Sequence, residues 1–86
     1  MYRVDIIADL NDEDQTGYLW TFLDEARDPS QIQIGALVVA GREHAAAMCE
    51  VTGIEPAPTR GTLVILRVLP GLVEDYRRAA SRALTS

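Results

Sequence analysis

The sequence contains no lysine: all eight cationic side chains among its 86 residues are arginine. That absence removes Schiff-base chemistry and the lysine of a phosphate-binding loop from consideration. There is one cysteine, Cys49, so no disulfide can form within the chain. With His44 as the only imidazole, a structural zinc site of four Cys and His ligands cannot be assembled. No G-x-G-x-x-G occurs, and the glycine-bracketed stretch Gly35 to Gly41 lacks a GK[ST] ending, so nothing points to a nucleotide cofactor. The longest apolar run, Ile34 to Gly41, is far below the roughly 20 residues needed to cross a bilayer, and no membrane association is expected. Met1-Tyr2-Arg3-Val4-Asp5 lacks the basic start and apolar core of a secretion signal, which points to a cytoplasmic protein. A lysine-free, arginine- and alanine-rich composition also fits coding by a GC-rich, bacterial genome.

What is present suits one small folded domain over residues 1–86. Apolar residues make up 48% and charged residues 24%, which excludes a disordered or collagen-like chain. Thirteen acidic residues against eight arginines give a net charge of −5, a field that repels nucleic acid and anionic membranes. A chain this short buries only about 60 to 65% of its unfolded surface, so a partner subunit would add useful stability.

Hydrophobic periodicity indicates the elements. Residues Tyr2 to Leu10 alternate as a half-buried strand does, and the polar loop Asn11 to Gly17 follows. Tyr18 to Arg27 fits two templates. Tyr18, Leu19, Phe22, Leu23 and Ala26 form a helical stripe, while Tyr18, Trp20 and Phe22 alternate as in a strand. The poor β-formers from Leu23 to Arg27 and the stop at Asp28-Pro29 favour a short helix, which would leave Trp20 facing outward. Ile32 to Ala40 and Ala45 to Ile54 read as a hairpin turning at Gly41 to His44. Glu55 to Gly61 reads as a connection whose prolines interrupt any ladder, and Thr62 to Leu69 as a further strand. An amphipathic helix closes the chain, with Leu72, Val73, Tyr76, Ala79, Ala80, Ala83 and Leu84 on one arc. Glu74 and Asp75 stand at its start, Arg77, Arg78 and Arg82 further on, and Glu74 is spaced to reach Arg78. The fold expected is α+β: a small, mostly antiparallel sheet or partly open barrel of four strands, a C-terminal amphipathic helix and a short helix after the first strand.

Two strands are apolar on both faces. Leu63, Ile65 and Leu69 are backed by Val64, Leu66 and Val68, and Ile34, Ala36 and Val38 by Leu37 and Val39. One helix covers one face, so the other must curl inward, receive the Tyr18 to Ala26 segment or dock on another molecule.

The acidic cluster Asp9, Asn11, Asp12, Glu13 and Asp14 partly imitates a calcium loop. It has Asp14 where that loop needs glycine and Trp20 where it needs a bidentate glutamate, so a solvated loop is the simpler reading and no metal is assigned. His44 and Cys49 straddle a turn and read as a surface residue and a small core residue, not as a nucleophile and its base. Tyr18, Trp20 and Phe22 are three of five aromatic residues within five positions. Tyr18 and Trp20 are the candidate protein-binding residues, because Trp and Tyr dominate binding hot spots. The function expected is a non-catalytic protein-binding or assembly module, homodimeric or bound to a protein partner, without a cofactor. The alternative is a small metal-dependent or acid/base enzyme using residues 9–14, with an acidic mimic of nucleic acid as a third reading.

Overall fold

The computed structural model describes residues 3–85, with side chains through residue 80. Tyr2, expected at the head of the first strand, lies outside the described residues, as do the side chains of Arg82, Ala83 and Leu84. Five strands, β1 (Ile6–Ile7), β2 (Tyr18–Phe22), β3 (Leu37–Arg42), β4 (Ala45–Ala57) and β5 (Gly61–Val68), precede one helix, α1 (Val73–Thr85). They form a single mixed sheet of order β1-β3-β4-β5-β2, in which only the β1–β3 pair is parallel.

The sheet curls until its two outer strands approach each other. The Thr21 hydroxyl on β2 donates to the Ile7 carbonyl on β1 at 2.7 Å. Just beyond β2, Ala26 forms an antiparallel bridge with Ile6, and the Arg27 N–H donates to the Asp5 carbonyl at 2.9 Å. The result is a half-barrel sealed along this seam. Curling is the answer to a sheet apolar on both sides: the concave face becomes a closed core. Its largest fully buried side chains are Ile6, Leu19, Cys49, Val51, Val64 and Leu66, each contributing about 1.5 to 3 kcal/mol if it is a Val- or Leu-sized group.

Five expectations are corrected. The strand expected over Ile32 to Ala40 runs instead over Leu37–Arg42, because the chain is still turning at Pro29–Gln31 and at Ile34-Gly35. Tyr18–Phe22 is a strand, not a helix, because it finds five consecutive partners on β5, from Tyr18 opposite Arg67 to Phe22 opposite Leu63. That ladder outweighs the helical stripe, and only 3₁₀ turns at Leu10–Asp12 and Leu23–Glu25 remain of the expected helix after the first strand. The sheet therefore has five strands instead of four. The first strand is short, since a 3₁₀ turn begins at Leu10 and only Ile6 and Ile7 align with Ala40 and Gly41. The Glu55–Gly61 connection is mostly ladder: Pro56 lies opposite Thr62 and Ala57 opposite Gly61. Proline is tolerated there because β3 pairs with β4 only over Ala45 to Glu50, so this part of β4 is an edge. In α1, Arg78 pairs with Asp75, at 3.8 Å, in place of Glu74.

The convex face is covered in part by α1. Val73 is buried there with Val39 and Met48, and Tyr76 and Leu69 pack against them. The Tyr76 hydroxyl donates to the Pro70 carbonyl, fixing the first turn of the helix to the chain that leads into it. No helix among the described residues is long and apolar enough to cross a membrane.

Candidate functional site

Three groups proposed from sequence are separated or neutralised by the fold. Cys49 is wholly buried in the core, and burial pushes its thiol up to about 11. His44 sits at the tip of the β3–β4 hairpin with 82% of its side chain exposed, beside Glu43 at 3.3 Å. A nucleophile protonated at neutral pH and an imidazole in solvent do not make a catalytic pair. A thiol reagent is accordingly expected to leave native Cys49 unlabelled and to label it once urea unfolds the chain. Rapid labelling without denaturant would show that the core opens readily.

The acidic loop is turned onto its own backbone. Asp9 accepts from the Asn11 N–H at 3.0 Å. Asp14 accepts from the Thr16 hydroxyl at 2.6 Å and from the Thr16 and Tyr18 N–H groups at 2.8 and 3.1 Å. The Thr16 hydroxyl, and then the Tyr18 amide, hold the Asp14 carboxyl below its ordinary value of 3.8. Asp14 thus works as a loop brace leading into β2. No group of three or more His, Cys, Asp or Glu side chains among the described residues is arranged to hold a metal ion.

Tyr18, Trp20 and Phe22 are brought together on the convex face of β2, since alternate side chains of a strand share one side. Leu19 and Thr21 point the other way and are buried. Trp20 lies opposite Ile65 and is 46% exposed. It faces outward, as the sequence suggested, but because it stands on the outside of a curled sheet and not on the polar side of a helix. Tyr18 lies opposite Arg67, which pairs with Glu50 at 2.7 Å across the middle of the same face. This ion pair separates the aromatic strip from the patch under α1.

The strip already holds one cation. The Arg60 guanidinium lies 4.4 Å from the centre of the Phe22 ring. It is clamped there by Asp24, through donors at 2.9 and 3.1 Å, and by Glu25 at 2.6 Å. Hydrogen bonds to Asp24 and then Glu25 raise the Arg60 pKa, so the group is permanently charged. Next to it, a shallow cleft of about 210 Å³ runs along the β1–β2 seam beside Trp20, bordered by Ile7, Asp9, Asp12, Glu25, Arg42 and Arg60. With Arg60 neutralised by its clamp, Asp9 and Asp12 face a single other cation, Arg42. Sequence reasoning found the aromatic strip and the acidic loop separately. It could not join them, because their contact depends on the seam.

A second concavity of about 580 Å³ lies between α1 and the convex face, floored by Leu37, Val39 and Met48 and walled by Tyr76, Ala79 and Ala80. Arg3, Asp5, Arg27 and Arg77 surround it. No signal in the sequence ties Arg3 and Arg27 to the helix; the parallel β1–β3 pairing does. Comparison with protein-family models, with curated proteins and with solved structures finds no match to this chain, so its surfaces are interpreted on their geometry alone.

Proposed function

We propose that this protein is a non-catalytic protein-binding module that takes a partner's arginine, carried on an otherwise apolar segment, onto Trp20, with Tyr18 beside it. The observation that carries this reading is internal. One ring further along the strip, the molecule already stacks a guanidinium on Phe22 and holds it with two carboxylates. Trp20 offers the stronger cation-binding face, is open to solvent, and has Asp9 and Asp12 at its border. The net charge of −5 favours approach of a basic partner. A shallow, open cleft suits a side chain presented by a protein surface better than an enclosed small molecule.

Trp20 is the only indole, so its emission reports the site directly. The test titrates the protein with peptides that differ only in a central Arg, Ala or Glu between leucines. The arginine peptide is expected to shift the emission and to bind at least about tenfold more tightly than the glutamate peptide, a difference that Asp12→Asn reduces. Equal responses to all three peptides, or none to any, would overturn the reading.

A further inference from the structure

The Arg60 guanidinium and the groups that hold it come from two separately built pieces of chain. Phe22, Asp24 and Glu25 belong to one short segment. Phe22 ends β2, paired opposite Leu63, and the 3₁₀ turn Leu23–Glu25 follows, closed by the Ala26 N–H on the Leu23 carbonyl and anchored by the bridge from Ala26 to Ile6. None of these bonds involves Arg60. Arg60 sits in the turn between β4 and β5, where its N–H donates to the Ala57 carbonyl at 2.9 Å and its carbonyl accepts from the Thr62 N–H at 3.1 Å. Among the described residues, no hydrogen bond but those of its side chain joins that turn to residues 22–25. The side chain can therefore leave without breaking a ladder.

What it would leave behind is shaped for a planar cation: an aromatic face, a fork of two Asp24 oxygens at its edge, and the Glu25 carboxylate beside them. An ammonium ion suits it less, having no plane to stack and no paired donors to fill the fork. The place is open to solvent, with 42% of the Arg60 side chain, 56% of Asp24 and 33% of Glu25 exposed, so a cation from outside can reach it. We propose that Phe22, Asp24 and Glu25 form a second binding site, for an alkylguanidinium group such as a partner's arginine, and that Arg60 is its tethered occupant, displaced when an outside guanidinium enters. The tether sets the competition: a group held a few residues away acts at an effective concentration in the millimolar range, so a free guanidinium compound must reach about that level to take its place. This inference stands on the geometry at Phe22 and does not require binding at Trp20.

The test titrates methylguanidinium chloride into the full chain, wild type and Arg60→Ala, at constant ionic strength, following the amide resonances of residues 22–25 and the Trp20 emission. The amides of Arg60→Ala are expected to shift saturably with a dissociation constant of at most about 20 mM, and those of the wild type at one at least about fivefold higher, because Arg60 competes. In the wild type the Arg60 Nε–H resonance should move, over the same titration, toward its position in the Asp24→Asn, Glu25→Gln double variant, where the clamp is gone. Methylammonium should bind Arg60→Ala at least about fivefold more weakly than methylguanidinium, and adding Asp24→Asn to Arg60→Ala should weaken methylguanidinium by a similar factor. Should Arg60→Ala fail to fold by circular dichroism, the wild-type Arg60 resonance decides alone. An Arg60 resonance that does not move, no amide shift in folded Arg60→Ala, equal affinity in the two proteins, or equal affinity for methylammonium would each overturn the proposal. A response confined to Trp20 emission would overturn it and leave the Trp20 reading standing; amide shifts that persist with Trp20→Ala would uphold it even if that reading fell.

Discussion

Gly41→Ala is expected to remove at least about 3 kcal/mol of stability, a large share of what a domain of this size has. Gly41 lies at the end of β3, buried, with φ of 135°, where side chains are rarely accommodated. It stands opposite Ile7 on one side and Ala46 on the other, and its carbonyl accepts from the Ala8 N–H at 3.1 Å. A Cβ there would collide with the Ala45 carbonyl oxygen and lie 2.8 Å from the Ala46 Cα. These are backbone atoms of the adjoining hairpin, which cannot move without disturbing both ladders. Gly35→Ala is the matched control. Gly35 also has positive φ, 89°, but nothing lies within 4 Å of a Cβ added to it, so only conformational strain of about 1 to 2 kcal/mol applies. Urea unfolding of both variants separates collision from strain; similar losses for the two would show that the hairpin yields.

Leu66→Ala is expected to cost about 2 to 5 kcal/mol, the range for emptying a buried leucine site, and to lower the melting temperature by about 10 °C or more. Leu66 is fully buried in the middle of the sheet, with Leu19 opposite it on β2 and Val51 on β4. All three point into the closed side of the curl, where neighbours are fixed by ladders on both flanks and cannot collapse into the space. Ile65→Ala, one residue earlier, removes a half-buried side chain from the convex face and should cost less than half as much. Equal losses would mean that the convex face is as tightly covered as the concave one.

The contrast between these neighbours marks how far the sequence could be read. A strand apolar on both faces, Thr62 to Leu69, was legible as one that needs two covers. Its observed span Gly61–Val68, and that of the helix Val73–Thr85, differ from expectation by a residue or so. Turn chemistry likewise placed the β3–β4 hairpin. Tyr18 to Phe22 was not decidable locally, because its aromatic and aliphatic residues satisfy a period of 2 and of 3.6 equally well. The decision comes from β5, more than forty residues away. Pro56 was misjudged for a related reason: whether a proline breaks a ladder depends on whether a neighbour needs its missing N–H, and that neighbour, β3, stops short. The candidate cleft shares this limit. Trp20 and the carboxylates of Asp9 and Asp12 are each conspicuous in the sequence. Only closure through Thr21 and Ile7 sets them side by side.

The placement of Pro56 also bears on how such molecules behave when crowded. Runaway fibre growth proceeds by successive chains docking main chain to main chain along an unguarded rim. Here the stretch of β4 beyond Val51, whose own N–H and carbonyl are bonded to Ala36 and Gly35, is that rim, and a residue unable to donate sits within it beside the anionic Glu55. A strand arriving there finds one donor missing and a carboxylate in its path, which blunts the edge against endless stacking.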